Sequence, residues 1–323
     1  MTRAAIASPP GSSRRSRGAA LLIAMSLLVL VSTLAAGMVW QQNRAIQVEA
    51  AERARTQSAW ILNGALDWAR LILREDARTG GPTALSEPWA TPLAEARLST
   101  FLAADKDNNS EGGPDAFLSG VIFDMQARYN LRNLIEGNKV IEAEFLTLQK
   151  LCEAANAPSD NAARIAEGLR AAWSVGEPQA GATPIAPRTV AQLAWFGVDS
   201  AVLERLETFV VLLPVRTPVN LNTADLEVIV AVSPGLDPGA AQAIVQARQR
   251  TAFKSVQVAQ QLLGRTPSPL IAKNVSTQSN YFEVRGKLRL DDRALEERSI
   301  VERRGLDVVT IMRERVASVL VDR

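Results

Sequence analysis

From Ala19 to Trp40 the chain carries no charge. At ~1.5 Å per residue these roughly twenty-two residues make a helix of about 33 Å, enough to cross a bilayer core. Three arginines, Arg14, Arg15 and Arg17, and then Gly18 stand immediately before it. Whatever else folds here is tethered to this segment.

Three readings compete for the stretch. A secretory signal peptide would end near Leu34-Ala35-Ala36-Gly37, but its apolar region normally runs only ~7 to 15 residues. A plain signal anchor fits the length, with the basic flank holding the N-terminus in the cytoplasm. In a prepilin leader the cut falls after the glycine, so residues 1–18 are removed, Ala19 becomes the N-terminus and the apolar helix is retained. The residues beyond Trp40 favour the third.

From Ala19 no proline occurs before Pro82. Past Trp40 the pattern turns amphipathic, with Ile61, Ala65, Trp68 and Ile72 on one stripe and Leu62, Leu66, Ala69 and Leu73 beside it. These helical spacings predict that the helix leaves the membrane and lies on an apolar surface until Gly80-Gly81-Pro82 stops it. A mere anchor needs no such continuation.

The 323 residues suffice for two domains or for one with a large insertion. Net charge is +2, with both signs scattered, so the whole chain does not read as a polyanion binder. The absence of histidine removes His bases, Ser-His and Cys-His nucleophiles and His metal ligands. No paired carboxylates or phosphate-binding glycine loop suggest an enzyme or a small-molecule substrate. The single cysteine, Cys152, lies in an apolar helical stretch and reads as a small core residue.

Residues 83–115 read as loop, with one short helical piece around Leu93 to Leu102. Within them Asp105, Asp107 and Asp115, interleaved with asparagines, offer hard oxygen donors suited to calcium, although the EF-hand order is not met. A strand is expected at Val121-Ile122-Phe123. The region 139–273 reads as helical, broken by a Pro/Gly-rich linker at 176–188. Tyr281–Leu290, Ala294–Arg303 and Leu306–Arg315 then read as an antiparallel meander. One strand before the helices and three after make the helices an insertion into a small sheet.

The sharpest local motif is Asn220-Leu221-Asn222-Thr223-Ala224-Asp225, followed by Ser233-Pro234-Gly235-Leu236-Asp237. Asn222 or Thr223 is expected to cap a helix, and the Pro-Gly hairpin to feed a second one. The unit resembles a helix-hairpin-helix. In its DNA-binding members a second glycine follows the first by two positions and leaves backbone N–H groups open to a phosphate. Here Asp237 holds that position. Between Thr217 and Lys273 five basic residues stand against three acidic ones, short of a basic face, so nucleic-acid binding is not expected.

The arginine-rich leader, the long helix and the inserted helical block together make the chain similar to the K-type minor pseudopilins of bacterial type II secretion. Asp124 to Leu134 matches that family's Asp-x-x-x-(Arg)-(Phe/Tyr)-Asn-Leu-x-x-Leu segment, and Thr277-Gln278-Ser279-Asn280-Tyr281-Phe282 stands before the final strands. The resemblance implies an α+β, type IV pilin-like fold: a long N-terminal helix on a small antiparallel sheet, with a large inserted all-α domain of two SAM-like or helix-hairpin-helix-like modules. It divides the chain into leader 1–18, membrane helix 19–40, its periplasmic continuation 41–79, a first pseudopilin part 80–138, a helical domain 139–275 with modules at 139–176 and 188–275, and a closing meander 276–323. It also implies cleavage after Gly18 by prepilin peptidase, methylation of Ala19, an inner-membrane anchor with a periplasmic globular part, and I- and J-type minor pseudopilins as partners at a filament tip. No cofactor is required; the resemblance implies calcium in some members but assigns no ligands, so Asp105, Asp107 and Asp115 stand as candidates on the loop chemistry alone.

Major pilins carry a glutamate at the fifth residue after cleavage, whose carboxylate neutralises a neighbour's N-terminal amine in lipid. Counted from Ala19 that residue is Ile23. The subunit has no carboxylate to offer upward, which suits the topmost position. The bulk of the helical domain, which would clash with a subunit stacked above, points the same way. The alternative from another class is a membrane-anchored helix-hairpin-helix protein that handles incoming DNA.

Overall fold

The computed structural model describes residues 15–98, 116–174, 185–264, 268–290 and 293–317. Helix α1 (Arg15–Thr79) stops before Gly80-Gly81-Pro82, as the breaker residues dictate. The chain divides into two compact units at Trp60 and Ile61.

In the part up to Trp60, side chains from Leu21 to Trp40 are exposed, and the helix is long and apolar enough to cross a membrane. Arg15, Arg17, Gly18 and Ala19 lie within α1; Arg14 lies outside the described residues.

The part from Ile61 on is built around a five-stranded sheet whose spatial order is its chain order: β1 (Leu93–Arg97), β2 (Ala116–Asp124), β3 (Tyr281–Leu290), β4 (Arg293–Arg304) and β5 (Asp307–Ala317). All neighbours are antiparallel. The meander expected at the C-terminus is therefore present. Residues 93–97, expected to be helical, form an edge strand instead. Leu-Ala-Glu-Ala-Arg is rich in helix formers, but pairing of Leu93 with Gly120 and Arg97 with Phe117 supplies hydrogen bonds that a one-turn helix lacks.

Leu66, Ala69 and Leu73 of α1 pack on Ile122, Phe282, Val284, Val301 and Val308, and Leu62 packs on Leu118 and Leu288. Each such leucine contributes about 2 kcal/mol of apolar burial. Of the two stripes read from the sequence, the Leu62 stripe is fully buried, while Trp68 on the other stays exposed.

Between β2 and β3 the chain makes a helical domain: α2 (Glu142–Ala154), α3 (Asp160–Ala172), a 3-10 segment (Val190–Phe196), α4 (Ser200–Leu206), α5 (Leu226–Val232), α6 (Pro238–Arg250) and α7 (Val256–Leu263). Within and beside the block expected to be helical on either side of its linker, the chain also makes two-residue strands. Lys139–Val140 pairs with Ile135–Glu136, Tyr129–Asn130 with Val210–Val211, and Val219–Asn220 with Val275–Ser276. Leu148, Leu151 and Ile165 share one apolar cluster with Leu203, Ile229 and Ile244, so both expected modules bury into a single core. Residues 175–184 of the linker between them lie outside the described residues. Cys152 sits in this core, and burial pushes its thiol up to about 11, which fits an inert packing residue.

Candidate functional site

The three segments that the sequence singled out meet in one buried polar junction where the helical domain joins the sheet. Asp124 ends β2, and its Oδ1 accepts the backbone N–H of Gln126 at 2.8 Å, which turns the chain out of the sheet. Its Oδ2 accepts from Thr223 Oγ1 at 2.6 Å, Ser279 Oγ at 2.6 Å and Asn220 Nδ2 at 3.0 Å. Burial pushes the Asp124 carboxyl above the ordinary aspartate range, and the four donated hydrogen bonds oppose this without cancelling it.

Asn220 is fully buried. Its Nδ2 also donates to the Thr83 carbonyl at 2.9 Å, and its Oδ1 accepts the Asn222 backbone N–H at 3.0 Å. Asn222 holds both polar groups of Phe253, donating to its carbonyl at 3.0 Å and accepting its N–H at 2.8 Å. The expectation that Asn222 or Thr223 caps a helix is therefore wrong. Asp225 takes the N-cap position of α5 without a side-chain cap, and the two polar residues before it are spent on tertiary contacts that no local pattern reveals.

From the sheet side, Arg303 donates to Asp76 Oδ2 at 2.5 Å, Thr83 Oγ1 at 2.9 Å and the Ser279 carbonyl at 2.7 Å. Its guanidinium also lies 5.1 Å from the Phe282 ring centre. Asp76 is in the last turns of α1, so one arginine ties helix, loop and sheet together. Sequence reasoning missed Asp76, Thr83 and Arg303. Their only signal is that each is polar beside an apolar stripe or strand.

A second buried group lies on the sheet face opposite α1. Glu283, fully buried on β3, contacts Arg128, Arg285 and Arg298, and Arg298 also reaches Glu207 at 3.1 Å. Burial pushes this glutamate up, but the three guanidiniums outweigh burial and hold it below the usual carboxylate range. Asn130, which the resemblance picked out, accepts from Leu213 N–H at 3.1 Å and donates to the Val215 carbonyl at 2.7 Å. The Glu283 group, through Arg128 and the Arg298–Glu207 pair, fastens the helical domain to the sheet, and Asn130 ties together two segments within the insertion.

The hairpin that resembles a helix-hairpin-helix is closed to phosphate. Gly235 takes φ +80° within it, and Asp237 is the N-cap of α6, its Oδ1 accepting from Ala240 N–H at 2.8 Å. The place a phosphate would need is held by the chain's own carboxylate. Arg248 points inward, donating to the carbonyls of Leu221 at 2.7 Å and Ala224 at 2.5 Å. Asp105, Asp107 and Asp115 lie outside the described residues. Among the described residues no group of three or more acidic or sulfur ligands is placed to hold a metal ion.

The arrangement locks the inserted helical domain onto the sheet. Comparison with known proteins agrees with this architecture. Residues 219–278, which run from Asn220's strand through Gln278, match the family model "Type II secretion system (T2SS), protein K". Type II secretion system protein K of Pseudomonas aeruginosa is 26% identical over 304 residues, covering 87% of this chain and 86% of that one. The protein of the same name from Pectobacterium carotovorum subsp. carotovorum is 26% identical over 322 residues, covering 93% and 96%. A chain in the crystal structure of the GspK-GspI-GspJ complex from the enterotoxigenic Escherichia coli type 2 secretion system shares the fold with a TM-score of 0.62 at 17% identity, over 83% of this chain and 99% of that one. The apolar N-terminal helix fits a single-pass membrane anchor. With the matched segment serving as the lock between sheet and helical domain, the chain is similar to type II secretion system protein K over most of its length.

Proposed function

We propose that this chain is the minor pseudopilin at the tip of the type II secretion pseudopilus, nucleating or capping the filament together with I- and J-type minor pseudopilins to drive protein export across the outer membrane. Its likeness to K proteins over nearly their whole length supports the pseudopilin role. Ile23 carries the placement at the tip: an apolar side chain stands where a carboxylate would serve the subunit above. In this reading the role is structural, the anchor lies in the inner membrane with its N-terminus cytoplasmic, and the globular part is periplasmic.

Prepilin peptidase then removes residues 1–18 and leaves a methylated Ala19. Co-expression with such a peptidase followed by mass measurement tests this; an uncut chain, or a cut near Gly37, overturns it. Pull-down with I- and J-type subunits tests the partners. An Ile23→Glu variant lacking the helical domain should enter the filament body, and its confinement to the tip would contradict the role given to Ile23. Calcium remains the ligand proposed for Asp105, Asp107 and Asp115 on their oxygen chemistry alone, and calorimetric titration of calcium against Asp107→Ala tests it.

A further inference from the structure

The sheet face opposite α1 is only partly covered by the helical domain, and where the two meet a groove of about 590 Å³ remains. Its apolar floor is one packed cluster in which Leu213 of the helical domain and Ile300 of β4 are buried and Ile311 and Met312 of β5 are half-buried. β5 is the outer strand of the sheet. Its register with β4 shifts at Ile300 and Val301, leaving Ile311 as a bulged residue that also lines the groove.

Two arginines complete the lining. The Arg132 guanidinium carbon lies 4.4 Å from the Trp173 ring centre, so stacking holds its plane while its N–H edge stays available. Arg188 is exposed. Among the described residues neither guanidinium is paired with a carboxylate, whereas Arg128, Arg285 and Arg298 on the same sheet face all share Glu283. An apolar floor with two unneutralised guanidiniums selects a ligand that is apolar and anionic at once. The open edge of β5 adds main-chain donors and acceptors, which an extended chain satisfies and a free fatty acid does not.

We propose that this groove binds an extended peptide segment of a partner protein in which an apolar side chain is flanked by carboxylates. The apolar side chain lies over Ile311 and Met312, the carboxylates meet Arg132 and Arg188, and the peptide backbone runs beside β5. The site is independent of the filament role.

The test is fluorescence polarisation with the full-length chain in detergent. The probe is a fluorescein-labelled, end-blocked peptide of threonine, valine, leucine, glutamate, valine and aspartate. Its counterpart has both acids replaced by lysine. Saturable binding of the acidic peptide is expected, at least about tenfold tighter than that of the lysine peptide. In Arg188→Glu, an exposed change that leaves the fold intact, the preference should narrow or invert. Equal affinity for the two peptides, unchanged affinities in Arg188→Glu, or no binding by the wild-type chain overturns the proposal. Binding that appears only after residues 175–184 are replaced by a Gly/Ser linker also overturns it, because the groove would then belong to the chain's own segment, whose flanking Trp173 and Pro187 line it.

Discussion

Asn220 Nδ2 lies 3.0 Å from Asp124 Oδ2, and this contact joins residues 96 positions apart, one at the end of a sheet strand and the other at the head of a helical motif. Because Asn220 Oδ1 is taken by the Asn222 N–H, the amide has one orientation and must present donors to the carboxylate.

Asp124→Asn should therefore destabilise the protein by about 1–3 kcal/mol, although it removes a buried charge. Either orientation of the new amide sets an NH₂ group against an N–H donor, from Asn220 on one side or Gln126 on the other. Because the folded value of Asp124 is raised, its contribution is fully present below its ordinary 3.8 and is lost as pH rises through the folded value. The gap between wild type and variant should narrow with rising pH. Guanidinium denaturation at several pH values measures it; a variant as stable as wild type throughout refutes the account.

Glu283 behaves in the opposite sense. Its folded value is lowered, so its contribution is present above its ordinary 4.5 and is lost as pH falls through the folded value. Glu283→Gln should cost about 3 kcal/mol at neutral pH, by leaving three guanidiniums without their shared partner, and the cost should shrink on acidification. A pH series of thermal midpoints checks both statements.

Gly168 sits against the Phe196 ring so closely that an added Cβ would meet ring atoms 2.4 Å away. The nearest of these is the root of the ring rather than a flexible tip, so Gly168→Ala must displace it. A loss of about 1–3 kcal/mol is expected, largely recovered by adding Phe196→Leu. A double-mutant cycle without coupling would count against this packing.

Asp237→Ala should cost about 1 kcal/mol as a lost N-cap. Asp237→Gly restores the glycine spacing of DNA-binding hairpins, yet with Arg248 turned inward it should not confer duplex binding. Electrophoretic mobility shifts at low salt decide the point; a retarded band with steep salt dependence would revive the DNA-handling alternative.

Where the sequence carried strong local signals, the structure agrees with them. The Gly80-Gly81-Pro82 stop, the closing meander and the burial of Cys152 rest on breaker residues and apolar periodicity. The helical insertion was legible as a change of period between 124 and 281. β1 was not, because five helix-forming residues adopt a strand only when β2 is beside them. The junction was hidden for a related reason. Asp124, Asn220, Thr223 and Ser279 are each ordinary turn or cap residues by local chemistry, and only the folded chain turns them toward one another. Asp237 was the exception, since its side chain bonds within its own turn.

The insertion also sets an order of events. β2 and β3 are neighbours in the sheet, yet Asp124 and Ser279 at their junction are 155 residues apart in the chain. Closing so long a loop while it is still disordered is entropically costly and slow, and although the β3–β4–β5 meander is local, β2 cannot pair with β3 until it closes. A helical domain that folds on its own local contacts brings its two ends together and shortens that search to a few residues. The inserted domain then acts as an intramolecular chaperone for the sheet around it, and lesions in its core should appear as slow sheet formation rather than as a missing helix.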